Sequence, residues 1–260
     1  MKNLMIFISP TGSFNNPRVD LTANDAGQLV KVQIENSFAL GWKKEDILLF
    51  TNFDFQYGEI KSEVLKNVEF FDRKPQVSKI NAIIKLFEQG IIKKGETYWF
   101  HDLDAFQLEL INPSEIKLKN NEIALTDFGN AKRFRGEERW NTGSIFFKLG
   151  SFDIFKQMKK VCYKKQCDEE EALGLLVIGD NGIRKRVRKL NITYNFNGFH
   201  LKSNYKKADK PIKMVHFHPY GKIRQLKVER PIDFFLGQNE LHMPLISERL
   251  IKIFKYHRIT

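Results

Sequence analysis

Three continuous apolar runs, separated by amphipathic stretches, fill the first hundred residues, and that rhythm limits the fold more than any other feature. Leu4-Met5-Ile6-Phe7-Ile8 stops at Ser9-Pro10-Thr11-Gly12. Asp46-Ile47-Leu48-Leu49-Phe50 ends at Thr51-Asn52, and Tyr98-Trp99-Phe100 runs directly into His101-Asp102-Leu103-Asp104. Runs without polar alternation suit strands covered on both faces, as in a parallel sheet under helices. Between the first two, Val30, Ile34, Phe38 and Ala39 recur on one helical stripe closed by Gly41. Ile80, Ile83, Ile84 and Phe87 form a second stripe, from about Val77 to Gly90. Strands alternating with helices predict an α/β fold with a mostly parallel central sheet flanked by helices.

The pattern then changes. Short strands are expected at Glu122 to Thr126 and Ser144 to Phe147, separated by a charged loop from Lys132 to Arg139. Helical spacing returns at Phe152 to Tyr163 and Glu169 to Ile178, strands at Ile192 to Phe196 and Ile212 to Phe217, and a terminal helix at Leu245 to Tyr256. No internal repeat or low-complexity linker interrupts residues 1–260, so one α/β domain with a C-terminal extension is expected. A hydrophobic fraction of 42% excludes disorder as the dominant state. No apolar run approaches the ~20 residues of a membrane helix, and Leu4 to Ile8 is too short for the core of a signal peptide. Cys162 and Cys167 lack the second pair a zinc site needs and read as reduced thiols. A soluble, cytoplasmic protein is the expectation.

Asp102-Leu103-Asp104 is the most informative string. Aspartates at i and i+2 after a buried strand leave the sheet edge on the same side, where open α/β sheets bind ligands. Such carboxylates are hard donors for Mg2+ or Mn2+, commonly with a phosphate alongside. A solvated acidic turn gives the same string; the strand just before it favours the metal. Asn141-Thr142-Gly143-Ser144 precedes the strand Ile145-Phe146-Phe147, and its glycine permits close backbone approach to a ligand. Asp168-Glu169-Glu170-Glu171 opens a helix, where acids are electrostatically favoured. The strand Ile212 to Val215 ends in His216-Phe217-His218-Pro219-Tyr220-Gly221-Lys222, and a histidine pair at i, i+2 can present one imidazole to a metal.

In this order the elements resemble the GT-A glycosyltransferases, the nucleotide-diphospho-sugar transferase fold, over most of the chain. The resemblance rests on Ser9, Ser78-Lys79-Ile80, Asp102-Leu103-Asp104, Trp140-Asn141-Thr142-Gly143, Glu169-Glu170 and His216. The pattern is most similar to family-eight-like enzymes, in which a late histidine after a strand joins the D-x-D carboxylates around Mn2+. Those enzymes carry an H-x-x-G-x-x-K-P-W tail. His216 to Lys222 keeps the residue types but neither the spacing nor the Pro-Trp ending, so His218 stands as the alternative ligand. The general shape is also similar to small glycosyltransferases encoded by bacteriophages.

The resemblance implies that Asp104 and His216 ligate Mn2+ or Mg2+, with Asp102 on the metal or the nucleotide ribose. Lys79 and Lys222 are then candidates for the phosphate oxygens, against the plainer reading of solvated cations. Ser9 and Thr11 fall where the nucleobase and ribose are held, though a plain turn uses the same residues. Glu169 or Glu170 faces sugar and acceptor, as general base in an inverting transfer or as an orienting group in a retaining one. Consecutive helical residues point about 100° apart, so not all three glutamates can face the site. Asn141 and Asp127 are candidates for bonds to sugar hydroxyls, or simple loop caps. His101 either orients the aspartates or merely ends its strand. Residues 1–105 become the nucleotide-sugar-binding half, and 106–260 the acceptor-facing half.

Charge speaks to the acceptor. Lys and Arg number 43 against 31 Asp and Glu, a net +12. The excess is concentrated after residue 150, as in Lys156, Lys159, Lys160, Lys164 and Lys165, and in Arg184-Lys185-Arg186 with Arg188-Lys189. A basic acceptor face suits a polyanion. DNA carrying a hydroxylated base is the expected acceptor, its base flipped out to be reached. Tyr194, Phe196, Phe199 and Tyr205 either stack on bases or pack the core. An anionic glycan or lipid-linked sugar competes. Of other classes, a nucleotidyltransferase usually has a basic glycine-rich loop that Ser9 to Phe14 does not supply. A nuclease would use Asp102 and Asp104 on paired metals.

Overall fold

The computed structural model describes residues 1–14, 23–127, 139–179, 182–197, 205–216 and 247–257. Among them, the first strand β1 (Lys2–Phe7) is followed by helix α1 (Ala23–Ala39), β2 (Ile47–Thr51), a hairpin of β3 (Gln56–Tyr57) and β4 (Ile60–Lys61), and β5 (Glu63–Val64). Next come α2 (Ser78–Glu88), β6 (Tyr98–His101), β7 (Ala105–Gln107), α3 (Pro113–Ile116), β8 (Ile123–Asp127) and β9 (Trp140–Phe147). The remainder is α4 (Phe152–Lys165), α5 (Glu169–Ile178), β10 (Val187–Lys189), β11 (Phe196–Asn197), β12 (Met214–His216) and α6 (Glu248–Tyr256).

Seven strands form the central sheet in the order β10-β8-β9-β6-β1-β2-β5. Six run parallel; β9 alone is reversed, paired antiparallel to β6 and β8. Side chains of a strand alternate between faces, and both faces are apolar here. Leu4, Ile6, Phe100 and Phe147 pack with α2, α4 and α5 on one side. Met5, Trp99 and Phe146 pack with Val30 and Ile34 of α1 on the other. Covering both faces is why these strands read as unbroken apolar runs. Gly41 and Gly90 follow the first two helices with φ of +87° and +67°, the left-handed region where a glycine is unstrained.

A smaller sheet, β11-β12-β7, lies beside the edge at which β6 ends. It encloses a separate apolar cluster with α1 and α6, built from Leu29, Val32, Phe106, Val215, Leu250 and Phe254. Helix α1 therefore faces two cores, and the single apolar stripe expected for it is incomplete. Phe38 is exposed, at 39%, and so is Ala39, while the polar Gln33, Asn36 and Ser37 are buried. The reason lies in β7. Its backbone bonds β12 on one side only, and α1 covers the other. Gln33 Nε2 donates to the carbonyls of Leu103 (3.0 Å) and Ala105 (2.8 Å), and Asn36 Nδ2 to that of Gln107 (2.8 Å).

The strand expected over Ile192 to Phe196 is another difference. Asn191 Oδ1 accepts from the Thr193 amide (2.9 Å) and turns Ile192–Tyr194 into one turn of 3-10 helix, leaving only Phe196 and Asn197 extended. Phe196 is buried in the α1–α6 core, so it is not available to stack on a base. The short strands at residues 56–64, β7 and β10 have too few residues to show a period in sequence. No helix among the described residues is long and apolar enough to cross a membrane.

Gln33 serves the carbonyls of Leu103 and Ala105, the second shared with His101, so Gln33→Leu should orphan at least that of Leu103. Leaving a buried acceptor unpaired costs about 1–3 kcal/mol. Urea unfolding should show a loss of that order; a loss below about 0.5 kcal/mol would mean that these carbonyls do not depend on Gln33.

Candidate active site

The reversal of β9 builds the site. Strand β6 ends at His101, which lies opposite Ser144 of β9. Since β9 runs the other way, its first residues, Trp140 to Gly143, project past the carboxyl end of β6. The Asp102 amide donates to the Gly143 carbonyl (2.9 Å), and the Ala105 amide to the Asp102 carbonyl (3.1 Å). These two bonds close the Asp102-Leu103-Asp104 turn and send the chain into β7. There His216, the last residue of β12, lies opposite Ala105. Two aspartates and a histidine more than a hundred positions later thus meet.

His216 Nε2 stands 3.1 Å from Asp104 Oδ1 and 4.0 Å from Asp102 Oδ2. One ligand atom from each of the three residues falls within 4.8 Å of the others. Two carboxylates and one imidazole are a donor set for Mn2+ or Mg2+, the nitrogen favouring the softer manganese. These residues fit a divalent cation. His218 and Lys222 lie outside the described residues, as do Lys132 to Glu138 of the charged loop and Phe199.

Lys79, in the first turn of α2, reaches into the same cluster. Its Nζ lies 3.0 and 3.1 Å from the two Asp102 oxygens and 2.9 Å from Glu169 Oε1. Burial works against its charge, but the carboxylates of Asp102 and Glu169 outweigh burial and hold the ammonium protonated well above the usual lysine range. Burial raises the pKa of Asp102, against the pull of Lys79 and His216. Lys79 pairs with Asp102 and Glu169, and Asp104 stands beside Asp102 and His216, so three carboxylates share this one lysine. That acidic excess is the electrostatic case for a cation.

Helix α5 supplies the acids on the far side. Asp168 caps it, its Oδ1 accepting from the Glu171 amide (2.8 Å). Glu169 is 2% exposed; its Oε1 accepts from Thr142 Oγ1 (2.9 Å), while Oε2 is buried with no hydrogen-bond partner among the described residues. Glu170 turns toward Arg139 Nε (3.3 Å) and the Thr142 amide (3.4 Å), and Glu171 faces solvent. Two of the three glutamates therefore face inward, as helical geometry requires. Burial and the neighbouring Glu169 push the Glu170 carboxyl up to about 8, despite Lys79 and Arg139. Asn141 is fully buried; its Oδ1 accepts from the Gly143 amide (3.0 Å), and its Nδ2 has no partner among the described residues.

Ser9 follows β1 at the same sheet edge. Its amide donates to Asn52 Oδ1 (2.9 Å), Asn52 Nδ2 returns a bond to its carbonyl (2.6 Å), and its Oγ lies 3.0 Å from Thr11 Oγ1. Asp127, at the end of β8, is ion-paired with Lys189 of β10. His101 does not orient the carboxylates. Its Nε2 bonds Asn3 Oδ1 (2.8 Å), its Nδ1 faces the Asp102 carbonyl, and burial lowers its pKa to about 4, so the ring is neutral. Asn52, Arg139 and Thr142 were not singled out from sequence. Only Asn52 carried a signal there: a side-chain amide directly after a buried strand, at the same edge as Ser9.

No family model and no curated protein matches this sequence. Solved structures do match. The galactosyltransferase LgtC, in complex with donor and acceptor sugar analogs, superposes with a TM-score of 0.57 at 15% identity, over 97% of this chain and 100% of that one. A glycosyltransferase involved in glycosylation of the major capsid of PBCV-1 gives 0.54 at 12% identity, over 92% and 100%. GlyE of Streptococcus pneumoniae gives 0.51 at 9% identity, over 95% of this chain and 65% of that one. The fold is the GT-A fold. The expected architecture is thus the one observed.

With its folded-state value near 8, Glu170 is stabilising while protonated, and that contribution is lost as pH rises from the unfolded value of 4.5 through 8. Each unit of such a shift is worth about 1.4 kcal/mol. Glu170→Gln stays neutral throughout. Its thermal midpoint should therefore gain on the wild type between pH 5 and pH 8.5; parallel curves would show that Glu170 titrates normally.

Proposed function

We propose that this chain is a metal-dependent glycosyltransferase, moving a sugar from a nucleotide-diphosphate sugar to an acceptor hydroxyl. The observation that carries this reading is the convergence of Asp102, Asp104 and His216 at the carboxyl edge of a GT-A sheet. In this reading Asp104 and His216 hold Mn2+ or Mg2+, and Asp102 shares the metal while accepting from Lys79. A bound divalent cation neutralises the donor diphosphate and the charge that grows on the departing nucleoside diphosphate. Every other role falls to the chain itself.

Ser9, Thr11 and Asn52 flank the place for nucleobase and ribose, beyond β1 and β2. Lys79 holds Asp102 and Glu169 in fixed positions and lies within a side chain's reach of the diphosphate. Asn141 Nδ2 and Glu169 Oε2, both buried and without a partner among the described residues, are a donor and an acceptor at the same edge, which suits sugar hydroxyls. Glu169 receives the acceptor proton if the transfer inverts and orients the donor if it retains; the anomer of the product distinguishes them. Glu170, whose oxygens accept from Arg139 Nε and the Thr142 amide, is the alternative to Glu169 in that role. Asp127 belongs to this edge only once its pairing with Lys189 opens. Residues 1–105 provide the donor half, and the later residues bring Glu169 and His216 to it.

The test is turnover of nucleotide-diphosphate sugars with Mn2+ or Mg2+. Chelation, Asp104→Ala and His216→Ala should each lower it by about 100-fold or more, since even partners of a metal's ligands are worth 10–100-fold. Full activity under chelation sinks the metal reading. Metal-dependent DNA cleavage or nucleotide incorporation, with no sugar transfer, would reassign the same carboxylates to a nuclease or nucleotidyltransferase.

For the acceptor, we propose DNA bearing a hydroxylated base, modified by this chain as an enzyme of phage type in the host cytoplasm. Support comes from the net charge of +12 and from exposed Lys156, Lys160, Lys164, Lys165, Arg184 and Lys185. Labelled sugar should pass to hydroxymethylated DNA, with binding that falls linearly in log–log against salt. Transfer confined to an anionic glycan or lipid-linked sugar, with no salt-dependent DNA binding, overturns the DNA acceptor.

A further inference from the structure

Gly143 lies against the imidazole of His216. A Cβ built on it would sit 2.1 Å from Cε1 and 2.4 Å from Nδ1 of that ring, where ordinary contact is 3.4–4 Å. The glycine expected to bring backbone close to a ligand instead gives its space to a side chain of the site. Neither partner has room to yield. The Gly143 carbonyl accepts from the Asp102 amide (2.9 Å), and its own amide donates to Asn141 Oδ1 (3.0 Å). Gly143 also belongs to a strand paired with β6 and β8, while His216 is 2% exposed and registered opposite Ala105.

We propose that Gly143 is the positioning residue for His216: its missing side chain is the socket that aims Nε2 at Asp104 and Asp102. This rests on the metal reading above. Any side chain at 143 moves the ring by over an ångström to regain ordinary contact, whereas metal–ligand distances hold to within about 0.2 Å. A methyl group at 143 therefore acts on the third ligand without touching metal or substrate. Asn141 Oδ1, 3.1 Å from the same Cβ, is a lesser obstacle, because that contact is only slightly tight. The position thus tolerates glycine alone for a reason that is not conformational.

The experiment uses the full chain with Mn2+ alone as probe. The His216 ring signal is assigned in the 1H–13C spectrum by its loss in His216→Ala. Mn2+ should broaden that signal in the wild type. Gly143→Ala should shift it in the absence of metal and weaken Mn2+ binding, measured by electron paramagnetic resonance, by 10–100-fold. In Gly143→Ala/His216→Ala the ring is gone and the methyl has room, so the thermal midpoint should return to that of His216→Ala. That recovery is expected even if Gly143→Ala alone fails to fold. An unmoved His216 signal, or a double variant as destabilised as the two single changes added, overturns the socket. A wild type whose His216 signal ignores Mn2+, but shifts in Gly143→Ala, overturns the metal reading and leaves the socket standing.

Discussion

The reversed strand β9 is the constraint on which the site depends. Were it parallel to its neighbours, Asn141, Thr142 and Gly143 would lie at the opposite edge of the sheet from Asp102. Reversed, and registered with Ser144 opposite His101, it places those three residues beside the aspartate turn. One hydrogen bond, from the Asp102 amide to the Gly143 carbonyl, then ties the turn to the strand. Helix α5 docks its first turn there through Thr142, which gives its hydroxyl to Glu169 and its amide to Glu170. Register in β-structure is demanding: slipping one residue swaps every side chain between faces. Eight consecutive buried residues make slippage in β9 costly.

That geometry collects like charges. Asp102 and Glu169 flank Lys79, Asp104 stands against His216, and Glu170 leans on Arg139. Buried ion pairs seldom stabilise a fold once desolvation is counted. A cluster with more carboxylates than cations is less favourable still, and burial beside Glu169 pushes the Glu170 carboxyl up to about 8. Such an arrangement costs stability and is hard to explain as scaffold. It is readily explained as a receptor for a cation and for hydroxyl groups, which would satisfy Glu169 Oε2 and Asn141 Nδ2.

How much of this was legible in sequence differs by interaction range. Strands β1, β2 and β6 announced themselves, because burial on both faces forbids polar residues and leaves a continuous run. Asp102 and Asp104 were legible for the same reason, as the first acids after such a run. His216 was legible only as the end of a late strand; its meeting with Asp104 needs the pairing of β7 with β12, and β7 has three residues, too few for a period. Lys79 looked like a helix-start cation, and its partners are set by tertiary packing alone. Helix α1 misled through Phe38 and Ala39, since the hydrophobic stripe ignores the buried polar face that β7 demands. Asn191 likewise broke an expected strand by a side-chain bond that competes with the sheet.

The failures at α1 and Asn191 share a cause that bears on the site itself. Each involves a polar side chain that bonds backbone, Gln33 and Asn36 to β7 and Asn191 to Thr193, as Asn52 does to Ser9. An open sheet whose carboxyl edge must bind ligands leaves strand ends and turns there without neighbours. Their amides and carbonyls still need partners. Side-chain amides supply some of them: Asn52 holds Ser9, and Gln33 holds the carbonyls of Leu103 and Ala105. Asn141 does part of this work: its oxygen holds the Gly143 amide, and its nitrogen has no partner among the described residues. Under the proposed function, that nitrogen is the group a sugar hydroxyl would pair with. In that reading the mechanical support of the fold becomes part of the binding surface.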